Sequence, residues 1–209
     1  MKTTPLSAIN ESEDTRITPT ERAQTARKTT LVSVVVNIIL STLQIVVGYF
    51  ARSQALIADG IHSLSDLFAD FVVLIANHHS QKDPDDDHPY GHQRFETAAS
   101  LMLGIILMLV AIGMLWVSVD KLMNPGDIPD VSIVAFFIAL LTLVSKEGLF
   151  RYMLKAAKAV KSSMLVANAW HARSDAASSL VVSVGILGNI LGYPILDPIA
   201  ALIVALMIG

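Results

Sequence analysis

The 209 residues are 53% apolar and only 16% charged, against roughly 45–50% and about 25% in soluble domains, which excludes an ordinary water-soluble globule and points to a membrane protein. A net charge of -3 supplies no basic surface for nucleic acid. The chain has no cysteine, so disulfides and thiolate metal sites are excluded, and any metal must be held by imidazole and carboxylate.

Residues 1–28 are polar and contain no apolar run. They are not a cleaved signal peptide and are expected to form a mobile cytoplasmic tail. Six apolar segments follow over residues 29–209, each read against the roughly 20 residues a spanning helix needs. They lie near 31–50, 55–77, 95–117, 131–150, 164–191 and 195–209. The last covers about 22 Å at 1.5 Å per residue, short of a hydrocarbon core of about 30 Å, so the sixth helix is expected to be cut short by the chain end. Asn124-Pro125-Gly126 and Gly192-Tyr193-Pro194 punctuate two connections as short turns.

Orientation is read from Lys and Arg. Arg22, Arg27 and Lys28 precede the first segment, and Lys82 and Arg94 separate the second from the third. Lys146, Arg151, Lys155, Lys158 and Lys161 surround the fourth-to-fifth connection, while only Arg52 and Lys121 mark the other side. Both termini are therefore expected in the cytoplasm, giving an all-α membrane protein of six transmembrane helices.

Two of these apolar segments carry a His-x-x-x-Asp pair: His62 with Asp66 in the second, His171 with Asp175 in the fifth. Residues four apart share one helix face, so each pair can aim a nitrogen and a carboxylate at one point. Two such faces opposed make a two-nitrogen, two-oxygen tetrahedron, which suits Zn²⁺. Small neighbours such as Gly60, Ser63, Ala172 and Ala176 let membrane helices approach closely. Ionisable groups at membrane depth mark ion pathways by default, so the metal site is expected between helices 2 and 5. Asp59, Asp70 and Arg173 fall in the same segments. They are read as supporting groups: Asp59 bonding near the outer mouth, Asp70 on the ion's route, Arg173 neutralising a carboxylate.

Between the second and third segments stands Asp83-Pro84-Asp85-Asp86-Asp87-His88-Pro89-Tyr90-Gly91-His92. Three consecutive carboxylates and two histidines four apart form a candidate second metal site, which would also concentrate cations near the entrance.

With these residues on the page, the chain resembles the membrane domain of the cation diffusion facilitators, a family of zinc and related-metal proton antiporters. Residues 53–66, the run from His88 to Glu96 and residues 163–175 carry the resemblance, which spans about 29–209. It implies a homodimer in the lipid bilayer, alternating access and proton exchange rather than an enzymatic activity. The transport site it implies is His62, Asp66, His171 and Asp175, with Asp85, His88 and His92 at the loop site. A histidine in the second helix goes with Zn²⁺, sometimes Cd²⁺ or Co²⁺. The family usually adds a cytoplasmic metal-binding domain after the sixth helix, which these 209 residues do not include. Compactness and short loops suggest a bacterial inner membrane.

Three rival readings make different demands on the sequence. An intramembrane metallohydrolase is disfavoured because no His-Glu-x-x-His or activated nucleophile accompanies the pairs. A passive channel is disfavoured because conduction needs weak or multiple binding. A zinc-binding sensor or structural dimer subunit without flux stands as the alternative.

Overall fold

The computed structural model describes residues 19–80, 93–124, 126 and 128–208. Six helices follow one another: α1 (Pro19–Ala51), α2 (Gln54–Ser80), α3 (Gln93–Met123), α4 (Ile133–Ala159), α5 (Ser163–Ile190) and α6 (Leu196–Ile208). There is no strand among the described residues. Three helices, α1, α3 and α4, are long and apolar enough to cross a membrane by themselves; α6 is apolar but only 13 residues long. α2 and α5 are long enough but are interrupted by their ionisable residues. Apolar side chains such as Phe50, Trp116, Phe137 and Val184 stand exposed around the bundle, an arrangement suited to lipid as the solvent.

Several helices outrun the apolar segments that announce them, α1 and α4 furthest. α1 begins at Pro19, inside the segment expected to be a tail. Proline is tolerated at a first helical turn, and Glu21, Arg22, Ala23 and Gln24 are good helix formers. Once a helix is nucleated, each added residue costs little. α4 likewise continues through Leu154-Lys155-Ala156-Ala157-Lys158, and ends where Lys161 takes a left-handed φ of 50°.

Packing pairs α4 with α5 most extensively, then α1 with α2, and sets α6 against α3, α5 and α2. α2 and α5 touch far less. Glycines permit two of these approaches: a Cβ on Gly60 of α2 would lie 2.8 Å from Ile45 Cγ1 and 3.1 Å from the Ser41 carbonyl of α1, and one on Gly185 of α5 would lie 2.9 Å from the Leu196 carbonyl of α6. The main core (Ala55, Leu56, Ala135, Ala139, Val182, Ile186, Ala200, Val204) joins α2, α4, α5 and α6.

The end of the bundle that carries the α1–α2, α3–α4 and α5–α6 connections is laced by polar bonds. Asp197, at the start of α6, accepts from Ser53 Oγ at 2.6 Å and from the Gln54 N–H at 2.8 Å. Ser53 Oγ in turn accepts from the Leu56 N–H at 3.1 Å. The first turn of α2 is thus capped partly from another helix. Asn189 accepts from the Val131 N–H at 3.0 Å and donates to the Pro194 carbonyl at 3.1 Å. The Ser132 N–H reaches the Ala51 carbonyl at 3.2 Å.

Candidate metal centre

His62 and Asp66 lie one turn apart on α2, with His62 Nδ1 3.4 Å from Asp66 Oδ2. Both atoms are buried and neither has a hydrogen-bond partner among the described residues. Orphaned buried polar atoms are rare in finished structures and call for a missing partner. Asp175 of α5 joins them: one ligand atom from each of His62, Asp66 and Asp175 lies within 4.8 Å of the others. Three of the four residues expected from the sequence therefore converge. The fourth, His171, lines the same narrow cleft of about 50 Å³, together with Asp66 and Asp175, but falls outside the three-residue cluster. It is solvent-exposed and one turn of α5 from Asp175.

The cleft continues along Ser33, Asn37, Asp70 and Asn168. All of these lie on the side of the ligands nearer the N-terminus of α1. Asp70 also borders a wider, mainly apolar cleft of about 890 Å³ between α1, α2, α3 and α5. Arg173 pairs with no carboxylate among the described residues: its guanidinium lies 5.0 Å from the Phe150 ring centre and 5.1 Å from that of Trp170, held by cation–π attraction. The loop candidates Asp85, His88 and His92 lie outside the described residues.

Charge reading from sequence misplaced one residue. Lys146, grouped there with the cytoplasmic lysines, is 2% exposed in the middle of α4. Its ammonium donates to Ser63 Oγ at 2.9 Å and to the Asp175 carbonyl at 3.3 Å, and sits 3.5 Å from Asp59 Oδ1. Asp59 is fully buried and also accepts from Ser178 Oγ at 2.6 Å, Ser179 Oγ at 2.7 Å and Gln44 Nε2. A buried charge persists only when paired and hydrogen-bonded, and here both are. Lys146 lies four residues from the end of the apolar stretch 131–150, and it is the continuation of α4 to Ala159 that makes it mid-helix.

Fold and composition define an integral, multi-pass membrane protein, with a cluster of one imidazole and two carboxylates that could hold a metal between two of its helices. More particularly, the chain belongs to the cation diffusion facilitator family: residues 30–209 match the model of the cation efflux transmembrane domain. That family consists of transporters, not enzymes. The chain is 41% identical over 182 residues to the uncharacterized transporter MJ0449 of Methanocaldococcus jannaschii, covering 87% of this chain and 64% of the relative. It is 36% identical to the manganese efflux system protein MneP of Bacillus subtilis, with 90% of this chain and 65% of the relative covered. Metal tolerance protein C1 of Arabidopsis thaliana is 37% identical over 81% of this chain and 39% of its own length. The chain thus spans less than two thirds of the length of these relatives.

Proposed function

We propose that the protein exports a divalent cation, Zn²⁺ in the first place, across the plasma membrane in exchange for protons. The observation that carries this reading is the convergence of His62, Asp66 and Asp175 with two orphaned ligand atoms inside an apolar bundle. His171 completes the donor set by a rotation or small shift of α5, giving the two nitrogens and two oxygens that suit Zn²⁺; Cd²⁺ and Co²⁺ are secondary cargoes. The basic residues flanking the N-terminus of α1 and the α4–α5 connection orient that side to the cytoplasm. The cleft's run toward the same side supports reading this as an inward-facing state, with both termini inside. The loop bearing Asp85, His88 and His92 binds a second metal near the entrance, and the protein works as a homodimer.

Imidazole ligates only when neutral, so metal and proton compete for one site. The ion enters from the cytoplasm, exchanges water for protein donors, and is released outward as protons take its place. An unperturbed imidazole titrates near pH 6.5, so zinc affinity is expected to fall on acidification through roughly pH 7 to 6. Isothermal titration at three pH values tests this, and a flat affinity contradicts the competition.

A second reading, Mn²⁺ as cargo, has its own support. The three groups that converge supply two carboxylates to one imidazole, an oxygen-rich set, and MneP is named a manganese efflux protein. Vesicles with an internal pH dye, given Zn²⁺ or Mn²⁺, decide between the two. Zinc uptake with opposite proton movement, both lost in Asp175→Ala, is the expected result. Binding without flux would favour a sensor or structural subunit, and flux surviving Asp175→Ala would place the site elsewhere.

A further inference from the structure

A cleft reaches the metal ligands from one side; the groups that follow them on the other, Asp59, Lys146, Ser178 and Ser179, are buried. One turn beyond His62 on α2 comes Asp59, and one turn beyond Asp175 on α5 come Ser178 and Ser179. Both steps lead away from the N-terminus of α1, toward the laced end of the bundle. There the Asp59 carboxylate and the Lys146 ammonium, joined by Gln44, Ser63, Ser178 and Ser179, connect α1, α2, α4 and α5. α2 and α5 otherwise pack sparingly, so these bonds are the main tie between the two ligand-bearing helices. Among the described residues, three further buried polar atoms lack partners: Gln44 Oε1 within the tie, and beyond it Thr142 Oγ1 on α4 and Gln54 Oε1 at the start of α2. Thr142 is four residues before Lys146 and shares its helix face, on the side nearer the laced end. A polar line therefore continues past the ligands and is interrupted at the ion pair.

We propose that the Asp59–Lys146 cluster is the seal that closes the ion pathway beyond the metal ligands, and that it must part for the ion to pass to the laced end of the bundle. The reasons are steric and electrostatic. Lys146 and Asp59 are both essentially inaccessible, leaving no passage. The fixed ammonium also sets a positive charge ahead of an outgoing cation, while Asp59 keeps the cluster neutral and its cost of burial tolerable. Lys146 is in this sense a positioning residue: its bonds to Ser63 and to the Asp175 carbonyl hold the neighbours of His62 and of the Asp175 side chain in register across the helix gap.

The absence of native cysteine makes the test direct. Thr142→Cys puts a near-isosteric thiol at a buried hydroxyl that gives up no hydrogen bond, and a separate Tyr193→Cys, exposed at the α5–α6 turn, identifies the laced face. A membrane-impermeant maleimide is applied to each face of vesicles carrying metal-free protein. The thiol at 142 should resist labelling in the otherwise unaltered chain. Lys146→Met should raise its rate from the laced face by at least about tenfold, a ratio equivalent to about 1.4 kcal/mol of opening, and leave the other face unchanged. Lys146→Arg, which keeps the charge, should restore protection. If Lys146→Met does not fold, Ser178→Ala, which removes one donor to Asp59, should raise the rate in the same one-sided way. An unchanged rate, an equal rise from both faces, or no difference between Met and Arg overturns the proposal. The inference rests on ions passing between α2 and α5, but labelling uses neither metal nor flux, so it can fail while transport stands, or hold where transport is not seen.

Discussion

At the residue scale, one imidazole separates two cargo chemistries. His62 supplies the nitrogen of the three-residue cluster, and replacing it with a carboxylate would harden the site toward oxygen-preferring ions. His62→Asp is therefore expected to shift the ratio of Mn²⁺ to Zn²⁺ flux upward by about tenfold or more, measured as competitive uptake in vesicles. An unchanged ratio would remove His62 as the selectivity element. Spacing alone made the His62–Asp66 and His171–Asp175 pairs legible, because a four-residue interval fixes a shared face whatever the tertiary structure. It could not tell that His171 lies apart from the other three, since the rotation of α5 depends on packing with α4. Nor could it recognise Lys146, whose partners come from two other helices, α2 and α5. Lysine near a helix end and lysine at mid-membrane look alike in a count of charges; depth distinguishes them, and depth depends on how far α4 extends beyond its apolar stretch.

At the scale of elements, the bundle depends on contacts too close for side chains. A Cβ at Gly185 would meet the Leu196 carbonyl at 2.9 Å and Ala200 Cβ more closely still. Backbone cannot move aside as a flexible side chain does, so Gly185→Val should force α6 from α5. Overpacking of this kind costs about 1–3 kcal/mol, to be read as a lower thermal midpoint in detergent. Unchanged stability would mean α6 can slide without loss. The six helices were evident as six apolar runs, and each lies where hydropathy placed it. Their ends were less evident: α1 and α4 continue into charged sequence because helix extension is inexpensive and Glu, Lys and Ala favour it. Hydropathy reports where the membrane would be, not where the helix stops.

At the scale of the whole molecule, the bundle is tight at one end and cleft at the other. Polar bonds among Ser53, Val131, Asn189 and Asp197 secure the first, while Ser33, Asn37, Asp70 and Asn168 line an opening at the second. No local motif announces these long-range bonds; Ser53 and Asp197 are 144 positions apart. Asp197→Asn keeps the shape of the side chain but weakens its hold on the α2 amides. Loss of such a cap costs about 0.5–2 kcal/mol, so denaturant unfolding should shift by that amount while the proposed ligands, His62, Asp66 and Asp175, which Asp197 does not touch, should bind zinc as before. Loss of binding together with stability would show that the two ends are coupled.

The same carboxylate bears on how the chain is made. A ribosome delivers α2 long before it delivers α6, so the leading amides of α2 must rely on Ser53 and water until Asp197 arrives. A nascent chain halted before residue 197 would hold its second helix with a frayed start, and the bundle would close only when α6 supplied the missing acceptor. Assembly of the bundle is then gated by α6, not by the helices that bear His62, Asp66 and Asp175.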